Sequence, residues 1–536
     1  MDHIQSTIDN IINFITPNIT CVSTHTVHFM VEKLWETTIP KPILEQINSS
    51  ASFEKLMEEF WDAKEKENVA DSSSELLKFF QAADKFRLTS LMNDEYIISI
   101  EELFKKLKAR NCGHIIESAK VDQHMSEKKS YEVKVMSQVV AAVTSTCNSS
   151  HIIDLGGGQG YLSSILALQH GKKTLSLDYN QVNTHGAAVR SKKLEKLWIR
   201  SQKRQASYAS VEHHGKNWKK KNKAPVCTVK EEELVVCKEH CKQITHFVTP
   251  DSDISSMLSE AYPQDSLHNV CLIGLHTCGD LSATTLRLYS KCSSLQCLVQ
   301  VGCCYHLIEE EFIKSPFWKD VDASLYEHGY GFPLSEHLRE KSFFLGRNVR
   351  MSGTQSPERV MDLKQTQTLP LFYRALLEKY LRSKVPINDD DPKVVGRLAT
   401  KCSSFVEYVH RAVKKLELDF EVDDTEIIHL FESHQCEYQY LQVYYFLKTA
   451  LAPVIEALIV LDRVLYLREQ GFPESYVVQI FDPLISPRCY AVVSMKPPSP
   501  SPSIQTSAKQ IKKTKEKGTH EFGNTLLASV VKSKDT

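Results

Sequence analysis

The amino-acid sequence predicts an α/β fold, a largely parallel sheet covered by helices on both faces, from three observations. The first is residues 151–163, an apolar run that closes on Asp154 and is followed at once by Gly156, Gly157, Gly158 and Gly160. A short strand feeding a glycine-rich turn and then a helix is the opening βα unit of a nucleotide-type sheet, because residues without Cβ let a ligand approach the backbone. The second is a change of period near residue 130, beyond which apolar runs of strand length alternate with helical ones. The third is Leu175-Ser-Leu-Asp178, a second apolar run ending in a carboxylate.

Taken in order, residues 1–120 read as a helical N-terminal domain, with few strand signals and apolar positions at helical spacing around Phe29, Leu34, Leu56 and Phe60. Residues 121–310 form the core: strand 151–155, helix 160–170, strand 174–178, helix 181–198, strand 244–248, helix 251–260, strand 269–275, helix 280–290 and strand 297–302. A largely helical insertion, 311–453, follows and overhangs the carboxyl edge of the sheet, where ligands bind in such folds. Residues 454–496 supply a closing helix and a β-hairpin, 476–481 with 489–494, turned by Pro483 and Pro487. From Pro497 the chain runs through alternating Ser and Pro into scattered lysines, the composition of a disordered tail.

Composition bounds the function classes. At 536 residues, 42% apolar and 24% charged, the chain has the makeup of a globular protein, and its net charge of −1 argues against a wholly basic nucleic-acid binder. Fifteen cysteines, with no basic and apolar leader at the N-terminus, predict free thiols and an intracellular setting. The longest apolar stretch, near 450–461, is broken by Pro453 and Glu456, so no membrane span is expected. Charge is uneven, however: the segment 190–223 concentrates Arg190, Lys192, Lys193, Lys196, Arg200 and later lysines around Trp198, Tyr208 and Trp218. Such a basic insertion, about 199–243, suits an RNA backbone or an acidic protein surface, and equally a solvated loop.

The spacing of the glycines selects the ligand. A dinucleotide fingerprint starting at Gly156 would need a glycine or small residue where Tyr161 stands. The loop reads Asp154-x-Gly156-x-Gly158-x-Gly160, which resembles the D-x-G-x-G-x-G loop of class I S-adenosylmethionine-dependent methyltransferases and implies a Rossmann-like sheet of that class. Asp178 stands where an acidic side chain reaches ribose hydroxyls and disfavours a 2′-phosphate. Asp154, Gly156, Gly157, Gly158, Gly160, Tyr161, Asp178 and His276 are the expected cofactor contacts, and S-adenosylmethionine the expected cofactor.

The fourth and fifth strands end in Leu275-His-Thr-Cys-Gly-Asp-Leu281 and Val301-Gly-Cys-Cys-Tyr-His306. In the usual order of such a sheet they are neighbours, which brings His276, Cys278, Asp280, Cys303, Cys304, Tyr305 and His306 to one edge. Methyl transfer is an in-line displacement, so the protein chiefly positions the nucleophile and removes a proton. His276, Asp280 and His306 are candidate bases, and Tyr305 a candidate for stacking on or bonding to the acceptor. The H-T-C and C-C-Y-H spacings match no standard zinc pattern, and no metal is expected.

Together with Met125-Ser-Glu-Lys-Lys-Ser-Tyr-Glu-Val133, Gly331-Phe-Pro-Leu-Ser335 and Leu461-Asp-Arg-Val-Leu-Tyr-Leu467, these motifs resemble the methyltransferase-like protein 25 family over most of the chain. The resemblance implies an S-adenosylmethionine-dependent methyltransferase. Adenine N6 enzymes resemble one another in an Asn/Asp-Pro-Pro-Tyr motif after the fourth strand, where His276-Thr-Cys-Gly279 stands here, so RNA and protein acceptors both stay open. A non-catalytic binding module that acts through its helical domains is the competing reading.

Overall fold

Eight strands form one sheet in the order β1-β7-β8-β6-β5-β2-β3-β4. They are β1 (Ile97–Ser99), β2 (His151–Leu155), β3 (Lys173–Asp178), β4 (Cys241–Thr245), β5 (Val270–Cys278), β6 (Leu295–Cys303), β7 (Ser475–Gln479) and β8 (Tyr490–Met495). All pairings are parallel except those of β8, which lies antiparallel to both β6 and β7. The computed structural model describes residues 1–497 apart from 51, 66–73, 93, 110–124, 213–239, 313–328, 364–367 and 387–394. The tail and most of the basic insertion therefore lie outside the described residues.

The central strands are buried on both faces, as a parallel sheet requires: every residue of β2 is buried, and so are all but one of β6, whereas the edge strand β4 has no buried residue. One face packs on helices Ile100–Lys108, Glu127–Thr146 and Tyr161–His170 through an apolar cluster that includes Leu103, Met136, Val140 and Leu166. The other face joins a larger cluster shared by the N-terminal helices and the insertion. Its axis is the helix Gln435–Glu469, which at 35 residues is about 52 Å long and continues through Pro453. That helix packs on Asp2–Ile15, Glu75–Asp84 and Arg347–Ser352, so segments separate in sequence share one core. Met1–Met495 accordingly form one compact unit. Among the described residues no helix is long and apolar enough to cross a membrane.

Two local differences from the sequence reading have physical causes. The N-terminal region contributes an eighth strand, β1, paired in parallel with β7; three residues are too few to display a period of two. The strand expected at 244–248 is β4, three residues earlier, because 246–250 leave the sheet and turn over its edge. The hairpin of β7 and β8, the insertion between β6 and β7, and the β2-loop-helix unit stand where the sequence places them.

Candidate active site

The glycine loop joins β2 to the helix Tyr161–His170, and its backbone explains its composition. Gly156, Gly158 and Gly160 have φ of +68°, +54° and +69°, the left-handed region that L side chains rarely adopt. Gly157 is held by space instead: a Cβ there would stand 2.0 Å from Ser176 Oγ on β3. Beneath the loop, Asp154 is fully buried and accepts a hydrogen bond from the Ser163 hydroxyl, while its Oδ1 has no partner among the described residues. Burial, only partly offset by Ser163, pushes this carboxyl up to about 6.

Asp178, at the end of β3, ties the loop to its neighbour. Its Oδ2 accepts from the Gly158 N–H at 3.0 Å, and its Oδ1 accepts from the Asn180 N–H at 2.9 Å and Asn183 Nδ2 at 3.2 Å. Tyr161 lies under Arg190, whose guanidinium sits 4.4 Å from the ring centre and donates to the Gln159 carbonyl of the loop at 3.1 Å.

A cavity of about 410 Å³ opens at this carboxyl edge. Gly156 and Asp178 form one wall, Cys278, Asp280 and Leu281 another, and 246–250 with Tyr179 a third. Leu177, Thr284, Glu309 and Gly329 complete it, and among the described residues Gly329 is the part of the insertion that reaches the cavity. Tyr179 and Phe247, 71% and 60% exposed, present large apolar faces here. Neither stood out in the sequence, although Tyr179 directly follows the acidic residue that did.

The four expected catalytic residues divide. Asp280 lines the cavity, and its Oδ1 accepts from the Glu309 N–H at 3.0 Å. Burial dominates its titration and pushes its carboxyl up to about 6, within reach of proton transfer near neutral pH. Gly331 makes room for it, since a Cβ at 331 would lie 2.0 Å from Asp280 Oδ1.

His276 does not line the cavity. A register irregularity in β5 between Leu275 and Thr277 and a φ of +66° carry its ring toward the helix Glu127–Thr146, where Nε2 lies 3.0 Å from Glu132 Oε2. Tyr305, expected beside the acceptor, is 2% exposed and has no face on the cavity. Its hydroxyl donates to Glu456 at 2.8 Å, and the guanidiniums of Arg463 and Arg488 each sit 5.5 Å from its ring centre. These buried charges need the ring and hydroxyl as partners, which holds Tyr305 in the core. His306 is half-buried and does not line the cavity, and burial with Arg347 and Arg350 lowers its imidazole.

The sequence reading missed Glu132, which anchors the lead-in motif. Ser126 caps the helix by accepting from the Lys129 N–H, and Lys128 and Lys129 lie 3.6 Å from the Glu132 carboxylate one turn on. Ser486 donates to Glu132 at 2.7 Å, so this one carboxylate links the helix to β5 and to the hairpin turn. Asp462 does the same for two later motifs, accepting from the Leu334 N–H at 2.8 Å and the Ser335 N–H at 2.9 Å.

Burial pushes the Glu132 carboxyl up, but the bonds from His276 and Ser486 and the charge of Lys129 outweigh it and hold it at about 2 against an ordinary 4.5. A carboxyl depressed in the folded state stabilises fully above its unfolded value, and that contribution is lost as pH falls through the folded value. Stability measured by denaturant unfolding is expected to fall less steeply between pH 4.5 and about 2 in Glu132→Gln than in the wild type. Parallel pH profiles would show that Glu132 carries no such linkage.

The chain matches the model of a methyltransferase-domain family over residues 128–311, from the lead-in helix through the strand-end motifs. Two relatives, each described as probable methyltransferase-like protein 25, are similar over nearly their whole length. The Homo sapiens protein is 29% identical over 92% of this chain and 97% of its own, and the Mus musculus protein 30% identical over 91% and 96%.

Proposed function

The chain belongs to the methyltransferase-like protein 25 family, and from that premise we propose that it is a methyltransferase using S-adenosylmethionine as donor. The observation that carries the reading is the tie between the glycine loop and Asp178 on the wall of one cavity. The residues suit that donor. Gly158 faces open space, with nothing but the Gly156 carbonyl within 4 Å of a Cβ there, and the buried Asp154 Oδ1 lacks a partner among the described residues. The donor supplies an electrophilic methyl group when bound.

This chain's part is then binding, orientation and proton transfer. Asp178 would accept from a ribose hydroxyl, and Tyr179 and Phe247 offer faces for stacking on the adenine. Asp280, with its carboxyl near neutrality, is the group on the cavity wall suited to take the acceptor's proton. His276 acts as a positioning residue, fixing the end of β5 through Glu132.

Calorimetry with S-adenosylmethionine tests the reading. The wild type is expected to release heat at one site, and Tyr179→Ala to bind about tenfold more weakly, since stacking of a base on an aromatic ring is worth about 1–3 kcal/mol. A folded wild type that binds no S-adenosylmethionine would leave the non-catalytic module as the better description.

A further inference from the structure

Three thiols meet where β5 and β6 end. Cys278 and Cys303 are paired in register, Cys304 follows, and the three Sγ atoms all lie within 4.8 Å of one another, with Cys278 and Cys303 3.0 Å apart. Around a tetrahedral Zn²⁺ with Zn–S bonds of about 2.3 Å, sulfurs stand about 3.8 Å apart, inside the range this cluster spans. Modest side-chain rotation would bring all three onto one centre.

The surroundings are built rather than incidental. Cys304 has φ +51° and His276, two residues before Cys278, φ +66°; such conformations cost roughly 1–3 kcal/mol and persist where neighbouring structure imposes them. Behind the thiols lies Arg463, 3% exposed, and a Cβ at Gly302 would stand 2.2 Å from its Nη1. A buried guanidinium at that place offsets the negative charge of thiolates. Cys303 is buried, Cys304 half-buried, and Cys278 exposed on the cavity wall. The cluster is therefore closed toward the sheet and open toward the cavity that Gly156 and Asp178 share.

We propose that Cys278, Cys303 and Cys304 bind one Zn²⁺ whose fourth position opens on the cavity and takes a thiol as the methyl acceptor. The acceptor half rests on the methyl-transfer reading above. Thiolate ligands select Zn²⁺ over Mg²⁺ or Ca²⁺, and a centre with one free position is the pattern of a reactive site. Three thiolates leave the metal with a net charge of −1, so a fourth sulfur is held deprotonated while keeping its electron density. On binding, the acceptor R–SH gives its proton to the Asp280 carboxylate on the same cavity wall. Its sulfur lone pair then forms the new S–CH₃ bond as the methyl–sulfonium bond breaks, and that bond's electron pair stays on the departing thioether sulfur. The methylated product is a neutral thioether, a weaker ligand that dissociates.

Elemental analysis of the full chain purified without chelator is expected to find one Zn²⁺ per molecule. Cys278→Ala and Cys304→Ala, checked for folding by near-UV circular dichroism, are expected to hold it more than about 100-fold less tightly, beyond the 10–100-fold typical of outer-shell losses. After exchange for Co²⁺, a thiolate-to-metal band should appear and shift with N-acetylcysteinamide but not with N-acetylserinamide. Transfer of labelled methyl groups to N-acetylcysteinamide, and to extract proteins with free or alkylated cysteines, separates a small thiol from a cysteine side chain as acceptor.

A folded wild type without metal, a Cys278–Cys303 disulfide trapped at purification, or metal held undiminished by both variants overturns the site. Zinc held normally with label entering only RNA, or only oxygen and nitrogen atoms, overturns the acceptor half. Zinc held normally with no heat from S-adenosylmethionine supports the metal site and removes the acceptor half together with the reading it rests on.

Discussion

Asp178→Ala is expected to weaken S-adenosylmethionine binding about 10²-fold. A carboxylate offers about four acceptor sites, and three of those on Asp178 are occupied by the Gly158 N–H, the Asn180 N–H and Asn183 Nδ2. One site is left on this residue of the cavity lining. One hydrogen bond from a ligand hydroxyl to a charged acceptor is worth about 1.5–3 kcal/mol, and loss of the Gly158 tie loosens the loop as well. A total of about 2–3 kcal/mol is about 10²-fold in affinity. Asp178→Asn, which keeps an acceptor oxygen without the charge, should lie between the variant and the wild type. Calorimetry on samples with unchanged near-UV spectra reads the effect; wild-type affinity in Asp178→Ala would remove this residue from the cofactor site.

The second large effect is on stability. Arg488→Ala is expected to destabilise the fold by about 3–5 kcal/mol, the cost of leaving one member of a buried ion pair without the other. Arg488 Nη1 lies 2.6 Å from Glu456 Oε1, and the two side chains are 11% and 8% exposed. The same guanidinium donates to the Gly353 carbonyl at 3.0 Å and the Gln355 carbonyl at 3.0 Å, so its loss also orphans two backbone acceptors. Glu456 in turn accepts from Tyr305 at 2.8 Å, which couples the pair to the end of β6. Replacing both partners, as in Arg488→Met with Glu456→Leu, should recover much of the loss, because a buried pair is costly mainly when half of it is removed. Denaturant midpoints on the single and double variants read the difference; a double variant as unstable as the sum of the singles would show that packing, not charge, dominates here.

Tyr305 also shows where a sequence pattern misleads. A tyrosine beside two cysteines at a strand end looks like an acceptor contact, yet the helix Gln435–Glu469 brings Glu456 and Arg463 against it from more than 150 residues away. Asp280, only two residues past Cys278, stays on the cavity because Gly331 leaves it room. Equal promise in the sequence thus resolves into a core residue and a cavity residue through partners no local pattern carries.

The βα order, the glycine loop with Asp178 and the late hairpin are legible in the amino-acid sequence alone. These depend on short-range rules: glycine's tolerance of positive φ, the two-residue and 3.6-residue periods, and the place of a carboxylate at a strand end. The remaining features arise from contacts between segments distant in sequence. The pairing of β1 with β7, the turning of His276 onto Glu132, and the meeting of Cys278 with Cys303 and Cys304 depend on register, on one irregularity in β5, and on packing between distant segments. Side-chain direction at a strand end reverses with a single-residue shift. A spacing such as H-T-C followed by C-C-Y-H therefore says which residues reach the edge, and only the folded sheet says which of them face one another.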